Sequence, residues 1–221
     1  MAEVFDCSDS TQLLAAARAA RHALGRSELV VLPTDTVYGI AADAFTPEAV
    51  ARLLETKGRG RQAPPPVLVA DTATLGALAA ELTEPVRKLA EAFWPGPLTI
   101  IVQANPSLDW DLGDTGGTVA LRIPDHALTL DLLRETGPLA VSSANKTGEL
   151  PARHIAEAQE MLGDAVAVYL DAGEASGDGT ASTIVDATAL TNEGGTLRVL
   201  RDGGVSREAL TSLLPQVTLE G

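Results

Sequence analysis

A single cysteine, Cys7, stands in 221 residues, which excludes an internal disulfide and a Cys-based zinc site. Aromatic residues are scarce at 3%, so the core has to be built from Ala, Val, Leu and Ile. No apolar run approaches the ~18 residues that a bilayer-spanning helix needs. Positive charge is short as well. Sixteen Lys and Arg face 30 Asp and Glu, for a formal net charge of −14. Such a surface repels phosphate backbones and anionic headgroups, which disfavours non-specific nucleic-acid or membrane binding as the main activity. The opening Met-Ala-Glu-Val-Phe-Asp has no basic stretch followed by an apolar one, so a secretory signal is not expected and a soluble cytoplasmic protein is. Familiar catalytic signatures are missing: no Walker A loop, no Gly-x-Gly-x-x-Gly after a strand, no His-Glu-x-x-His and no Gly-x-Ser-x-Gly. His22 falls on the polar side of the first helix, and His126 and His154 fall at helix starts, where surface or capping roles are expected.

What is present suits a packed globular chain. Hydrophobic residues make up 45% and charged residues 21%, and the length fits one domain over 1–221. Apolar periodicity predicts helices over 11–24, 47–57, 72–82, 84–93, 127–135, 154–162 and 206–214. In the first helix Leu13, Ala17, Ala20 and Leu24 share a face. In the second, Thr46 is the expected N-cap and Pro47 opens the first turn. Short apolar runs predict strands over 29–32, 67–69, 98–102, 119–123, 139–141, 166–170, 183–185 and 197–200. Helices and strands are interspersed, so the expected class is α/β with a mixed sheet. The Gly-, Ser- and Asp-rich stretch 173–181 reads as a mobile surface loop.

Four features exceed what packing requires. Lys57-Gly58-Arg59-Gly60-Arg61 puts three cations in five positions of an acidic chain, an arrangement suited to phosphate or to a helix C-terminus. Pro33-Thr34-Asp35-Thr36-Val37-Tyr38-Gly39 follows an apolar strand and reads as a ligand loop or a self-bonded turn. Val141-Ser142-Ser143-Ala144-Asn145-Lys146-Thr147-Gly148 offers hydroxyls, an amide and backbone N–H groups beyond another strand. Arg122 and Arg201 sit at ends of apolar strands, where each needs a structural acid or an anionic ligand.

These segments, with Trp94-Pro-Gly-Pro-Leu-Thr99, Arg122-Ile-Pro124, Ser182-Thr-Ile-Val-Asp186 and Leu200-Arg-Asp-Gly203, resemble in order the YrdC-like family of threonylcarbamoyl-AMP synthases, from about residue 30 to residue 203. The resemblance implies a twisted open mixed sheet flanked by helices around a large concave cavity, in the short form of the family. It implies synthesis of threonylcarbamoyl-AMP and pyrophosphate from L-threonine, bicarbonate and ATP. A downstream transferase would then modify a tRNA adenosine beside the anticodon. Lys57, Arg59, Ser143 and Asn145 correspond to the Lys-x-Arg and Ser-x-Asn signatures. ATP contacts would come from these four and from Arg61, Thr118 and Arg201, and threonine contacts from Thr34, Arg122 and Ser182. Magnesium is expected with ATP, with no protein ligand assigned. The run 60–68 departs from the family pattern around Arg61. The competing reading is a non-catalytic member that binds nucleotide or RNA; a carbamoyl-phosphate-processing enzyme on the same fold is a weaker third.

Overall fold

The computed structural model describes residues 2–175, 179–192 and 194–221. Eleven strands form one sheet: β1 (Glu3–Asp6), β2 (Val30–Leu32), β3 (Gly39–Asp43), β4 (Val67–Leu68), β5 (Leu98–Gln103), β6 (Thr118–Arg122), β7 (Leu139–Ser143), β8 (Val168–Asp171), β9 (Thr183–Asp186), β10 (Leu197–Arg201) and β11 (Leu219–Glu220). Their order is β1-β8-β2-β3-β7-β4-β6-β5-β9-β10-β11, with parallel and antiparallel pairs mixed through it. The helices are α1 (Leu13–Leu24), α2 (Pro47–Lys57), α3 (Thr72–Leu78), α4 (Glu84–Phe93), α5 (Ala127–Thr136), α6 (Ile155–Leu162) and α7 (Arg207–Leu213). None of the described helices is long and apolar enough to cross a membrane.

Side-chain alternation along the strands divides the core. Val30 and Leu32 of β2 pack with α1 and α5, together with Ala20, Leu24, Leu132 and Leu133. Val31 and its neighbours Leu29, Tyr38 and Ile40 point to the other face, against Ala49 and Leu53 of α2 and Ile155 of α6. A third cluster joins Leu98, Ile100 and Leu121 to Leu89 and Val86 of α4 and Leu210 of α7. Around β2 helices thus cover both faces, and this strand reads as a continuous apolar run for that reason.

Several local expectations need correction. On α1 the buried residues are Ala16, Ala20, Ala23 and Leu24, while Leu13 is exposed. The helix is docked by its small residues, which let it lie close to the sheet. α3 stops at Leu78, before Ala79 takes an extended conformation. Thr46 occupies the N-cap position of α2, but its hydroxyl donates to Asp43 Oδ2 at 3.2 Å instead of capping the helix. β3 was not expected, because Gly39-Ile-Ala-Ala lacks strand-forming bulk. It forms because β2 and β7 bond it from both sides, and a Cβ at Gly39 would fall 2.6 Å from Val141 Cγ1. Edge strands β1 and β11 were also not expected; both are short. Of the Gly- and Ser-rich loop 173–181, residues 176–178 lie outside the described residues.

Candidate active site

The face of β5, β6 and β9 turned away from the third cluster floors a cavity of ≈ 370 Å³. Alternation supplies its floor. Thr118, Ala120 and Arg122 of β6 point into it, with Thr99 and Ile101 of β5 and Ile184 of β9 beside them. Leu121, Ile100 and Val185 point to the opposite core. The β2–β3 loop forms one wall, the β7 end another, and Ser182, Leu200 and Arg201 the rim.

Thr34, Arg59, Thr118, Arg122, Ser143, Ser182 and Arg201 all line this cavity, although they span most of the chain. Its three cations are all guanidinium groups, and among the described residues no carboxylate lines it. Arg59 donates to Thr147 Oγ1 at 3.1 Å and to Ser142 Oγ at 3.1 Å, which leaves three of its five N–H groups free to meet a ligand. Arg201 is held at the rim by two bonds to Ser182 O (2.9 and 2.8 Å) and one to Ser182 Oγ (3.0 Å). Desolvation and the nearby Arg122 and Arg59 cations push its pKa down, so an anion placed among the three would be welcome.

Arg122 is buried, and the structural pairing anticipated for it is present. It donates to Asp35 Oδ1 at 2.6 Å, to Thr36 Oγ1 at 3.1 Å and to Gly96 O at 3.0 Å. Two N–H groups remain for a ligand, so the ion pair orients the guanidinium without exhausting it. The β2–β3 loop is likewise both turn and wall. Thr34 Oγ1 donates to Val37 O at 2.6 Å and accepts from the backbone N–H groups of Thr36 and Val37, each at 3.2 Å. Thr36 Oγ1 lies 3.0 Å away as well, so a ligand bonding Thr34 Oγ1 has to displace one of these partners. Ser182 Oγ lies 2.8 Å from Thr99 Oγ1.

The basic cluster at 57–61 does not act as a unit. Lys57 ends α2, and Gly58 follows in the left-handed region (φ 67°), so the chain swings and successive side chains diverge. Lys57 is fully buried and does not line the cavity, so the ATP contact that the resemblance implies for it is not met in this geometry. Its Nζ donates to Ser143 O, to Asn145 O at 2.7 Å and to Asn145 Oδ1 at 3.2 Å, behind the β7 turn. Asn145 is also buried and absent from the lining. Its Nδ2 ties the turn to Lys146 O at 3.0 Å and Glu149 O at 2.6 Å. Lys57 and Asn145 therefore shape the wall that Ser142 and Ser143 present. Arg61 points out of the cavity altogether and pairs with Asp111 and Asp114, so its expected place among the ATP contacts is not met in this geometry.

Burial, then the nearby Arg59 and Lys146 cations, push the Lys57 pKa down to about 7. Between that value and the ordinary 10.5 the unfolded chain binds more protons, so this group makes the fold more stable as pH rises. The urea midpoint of the wild-type protein is therefore expected to gain on that of Lys57→Met from pH 7 towards pH 10. A constant difference across that range would place the Lys57 pKa at its ordinary value.

Of the polar cavity residues that sequence reading left without a role, Thr36, Tyr38, Thr99 and Ser142 lie inside segments already singled out, and Thr115 lies outside them. The remaining signal, the alternation Thr118-x-Ala120-x-Arg122, marks which side of β6 faces away from the core. Among the described residues, no group of three or more His, Cys, Asp or Glu is placed to hold a metal ion.

A mixed α/β sheet with a cavity lined by three guanidiniums and, among the described residues, no carboxylate has the charge an anion requires. The Sua5/YciO/YrdC family model, whose description reads telomere recombination, matches residues 22–203. The chain belongs to this family. A Mycobacterium tuberculosis (strain ATCC 25618 / H37Rv) protein, provisionally named a threonylcarbamoyl-AMP synthase, is 50% identical over 97% of this chain and 96% of its own length. The threonylcarbamoyl-AMP synthase of Bacillus subtilis (strain 168) is 35% identical over 89% of this chain, which spans 56% of that relative. A crystal structure of Pyrococcus abyssi Sua5 complexed with L-threonine superposes with a TM-score of 0.83 at 30% identity, covering 96% of this chain and 60% of that one.

Proposed function

We propose that this chain is a threonylcarbamoyl-AMP synthase, a nucleotidyl-transferring enzyme acting on L-threonine, bicarbonate and ATP. The observation that carries the reading is the convergence of Arg59, Arg122 and Arg201 on one cavity that, among the described residues, no carboxylate lines, in a chain of net charge −14. Substrates bearing a triphosphate, a carboxylate and a carbonate need such a local inversion of charge. The names of the M. tuberculosis and B. subtilis relatives and the threonine complex of the P. abyssi protein support it.

The threonine amine takes up bicarbonate, with loss of water, to give a carbamate. A carbamate oxygen then attacks the α-phosphorus of ATP, and the bond to the pyrophosphate oxygen breaks. No protein nucleophile is required. The chain holds the reactants in line and stabilises charge on the phosphoryl oxygens, and Arg59 and Arg201 are suited to this. Arg122 is assigned to the threonine carboxylate, Thr34 and Ser182 to its polar groups, and Thr118 to the nucleotide side. Ser143 presents its backbone and hydroxyl to the phosphates, while Lys57 and Asn145 hold that turn from behind. Magnesium, held by the phosphate oxygens, would supply further charge neutralisation. We assign the product to a separate transferase that modifies a tRNA adenosine next to the anticodon, in the cytoplasm.

The deciding experiment is pyrophosphate release from ATP with threonine and bicarbonate each omitted in turn. Release that requires both is expected. Release with carbamoyl phosphate in place of bicarbonate, or nucleotide binding with no turnover, would replace the reading.

A further inference from the structure

Arg61 lies outside the cavity, yet it belongs to the segment that forms one of its walls. Residues 58–66 leave α2 at Gly58 and contribute Arg59, Pro64, Pro65 and Pro66 to the lining. Their far end is anchored where Val141 N donates to Pro66 O at 2.8 Å. Between these ends a second segment, 105–117, approaches; it lines the same cavity through Leu112 and Thr115. The two are joined at Arg61. Its NH1 and NH2 donate to Asp111 Oδ2 and Oδ1 at 2.9 and 2.8 Å, as a two-pronged pair, and Nε donates to Asp114 Oδ1 at 3.3 Å. Asp114 N donates in turn to Arg61 O at 2.8 Å. Gly113 has φ +103°, and a Cβ there would stand 2.6 Å from Arg61 O, so the close approach needs glycine. Asp111 Oδ1 also accepts from Gly113 N at 3.0 Å, which shapes the acidic side before Arg61 arrives.

We propose that Arg61 is a positioning residue that sets nucleotide affinity by clasping segment 58–66 to segment 105–117, and so holds Arg59 and the three prolines against the cavity. The proposal rests on the assignment of the cavity to ATP. An isolated exposed ion pair contributes little. This one combines a planar fork, a third carboxylate contact and a main-chain bond, and it sits two residues from a guanidinium aimed into the cavity. Its loss lets the wall sample open positions, which lowers affinity without changing the chemistry of the bound state.

The test uses wild-type protein, Arg61→Ala, Arg61→Lys, Asp111→Asn and the Arg61→Ala/Asp111→Asn double variant. Asp111→Asn keeps an oxygen for Gly113 N and removes the charge. Amide hydrogen exchange on ligand-free protein reads the clasp without reference to activity. Peptides covering 58–66 and 105–117 should exchange faster in Arg61→Ala and Asp111→Asn. Steady-state kinetics read the consequence: KM for ATP rises about fivefold in both variants, with kcat within about twofold. The double variant should be no worse than Arg61→Ala, since one interaction is lost once. Arg61→Lys should fall between, because Lys lacks the fork. The gap between wild type and variants should narrow from about 0.1 to 0.5 M salt as screening weakens the pair. A direct Arg61–phosphate contact makes the opposite prediction: Asp111→Asn would free Arg61 and lower KM for ATP. That result, or unchanged exchange in both segments, overturns the proposal. Absence of synthesis in the wild-type protein would overturn the assigned reaction instead, and exchange together with the ATP Kd would still decide the clasp.

Discussion

Arg122→Ala is expected to raise KM for threonine at least about tenfold while KM for ATP changes little, because it removes a charge-assisted contact to one substrate alone. The geometry explains why the effect should be selective. Asp35, Thr36 and Gly96 take three of the five N–H groups and hold the guanidinium in one orientation, leaving two for a carboxylate. The same variant strands Asp35, whose side chain is 13% exposed. Breaking a buried pair from one side costs about 3–5 kcal/mol, so a marked fall in the urea midpoint accompanies the kinetic loss. Arg122→Lys separates the two effects. It retains a cation for Asp35 and should recover most of the stability, but it cannot make the fork and should recover only part of the threonine affinity. On the substrate side, valine and 2-aminobutyrate lack the hydroxyl and should be poor substrates. Serine should lose about 1–3 kcal/mol from an unfilled methyl space. Threonine kinetics at saturating ATP and bicarbonate check each point. Unchanged threonine dependence in Arg122→Ala would confine this residue to its ion pair with Asp35.

Arg59→Ala should lower kcat/KM for synthesis by about 10²-fold or more, with a thermal midpoint close to wild type. Arg59 is only partly buried, its two contacts are to hydroxyls, and among the described residues no carboxylate loses an ion pair when it is removed. Lys57→Ala is expected to behave differently, although the two residues are two positions apart. It would leave the carbonyls of Ser143 and Asn145 without their shared donor in a buried place, so activity and stability should fall together. Parallel melting curves and pyrophosphate-release rates for the two variants test this contrast. A stable, inactive Lys57→Ala protein would return Lys57 to direct contact with substrate.

The position of most helices, the apolar strands and the segments around the cavity was legible from local signals. Pro47 and Gly58 bracket α2 as a proline in the first turn and a left-handed stop should. The runs at 98–103 and 118–122 are apolar enough to demand burial. β3 was not legible, because Gly39, Ala41 and Ala42 have little strand preference of their own, and it is the flanking partners that select extended backbone there. The face of α1 was misread for a related reason. Leu13 carries more hydrophobicity than Ala16, but only the smaller side chain fits beneath the helix where it meets the sheet.

At the site, the sequence by itself determined which segments carry polar chemistry within an apolar, acidic chain, and in which order they occur. Those properties are local: a cation among glycines or a hydroxyl pair after a strand is visible without knowing its neighbours. The destination of each side chain was decided by tertiary structure. Lys57, Arg59 and Arg61 form one basic cluster on paper, and they point respectively into the protein, into the cavity and onto Asp111. Gly58 turns the chain between the first two, and a distant acidic segment captures the third. Their roles depend on contacts with residues 50 to 88 positions away, which no spacing rule encodes. The convergence of Arg59, Arg122 and Arg201 has the same origin. Arg122 ends β6, Arg201 ends β10 and Arg59 follows α2, where it is held by Ser142 of β7; they meet only because the sheet order brings these strand ends around one cavity.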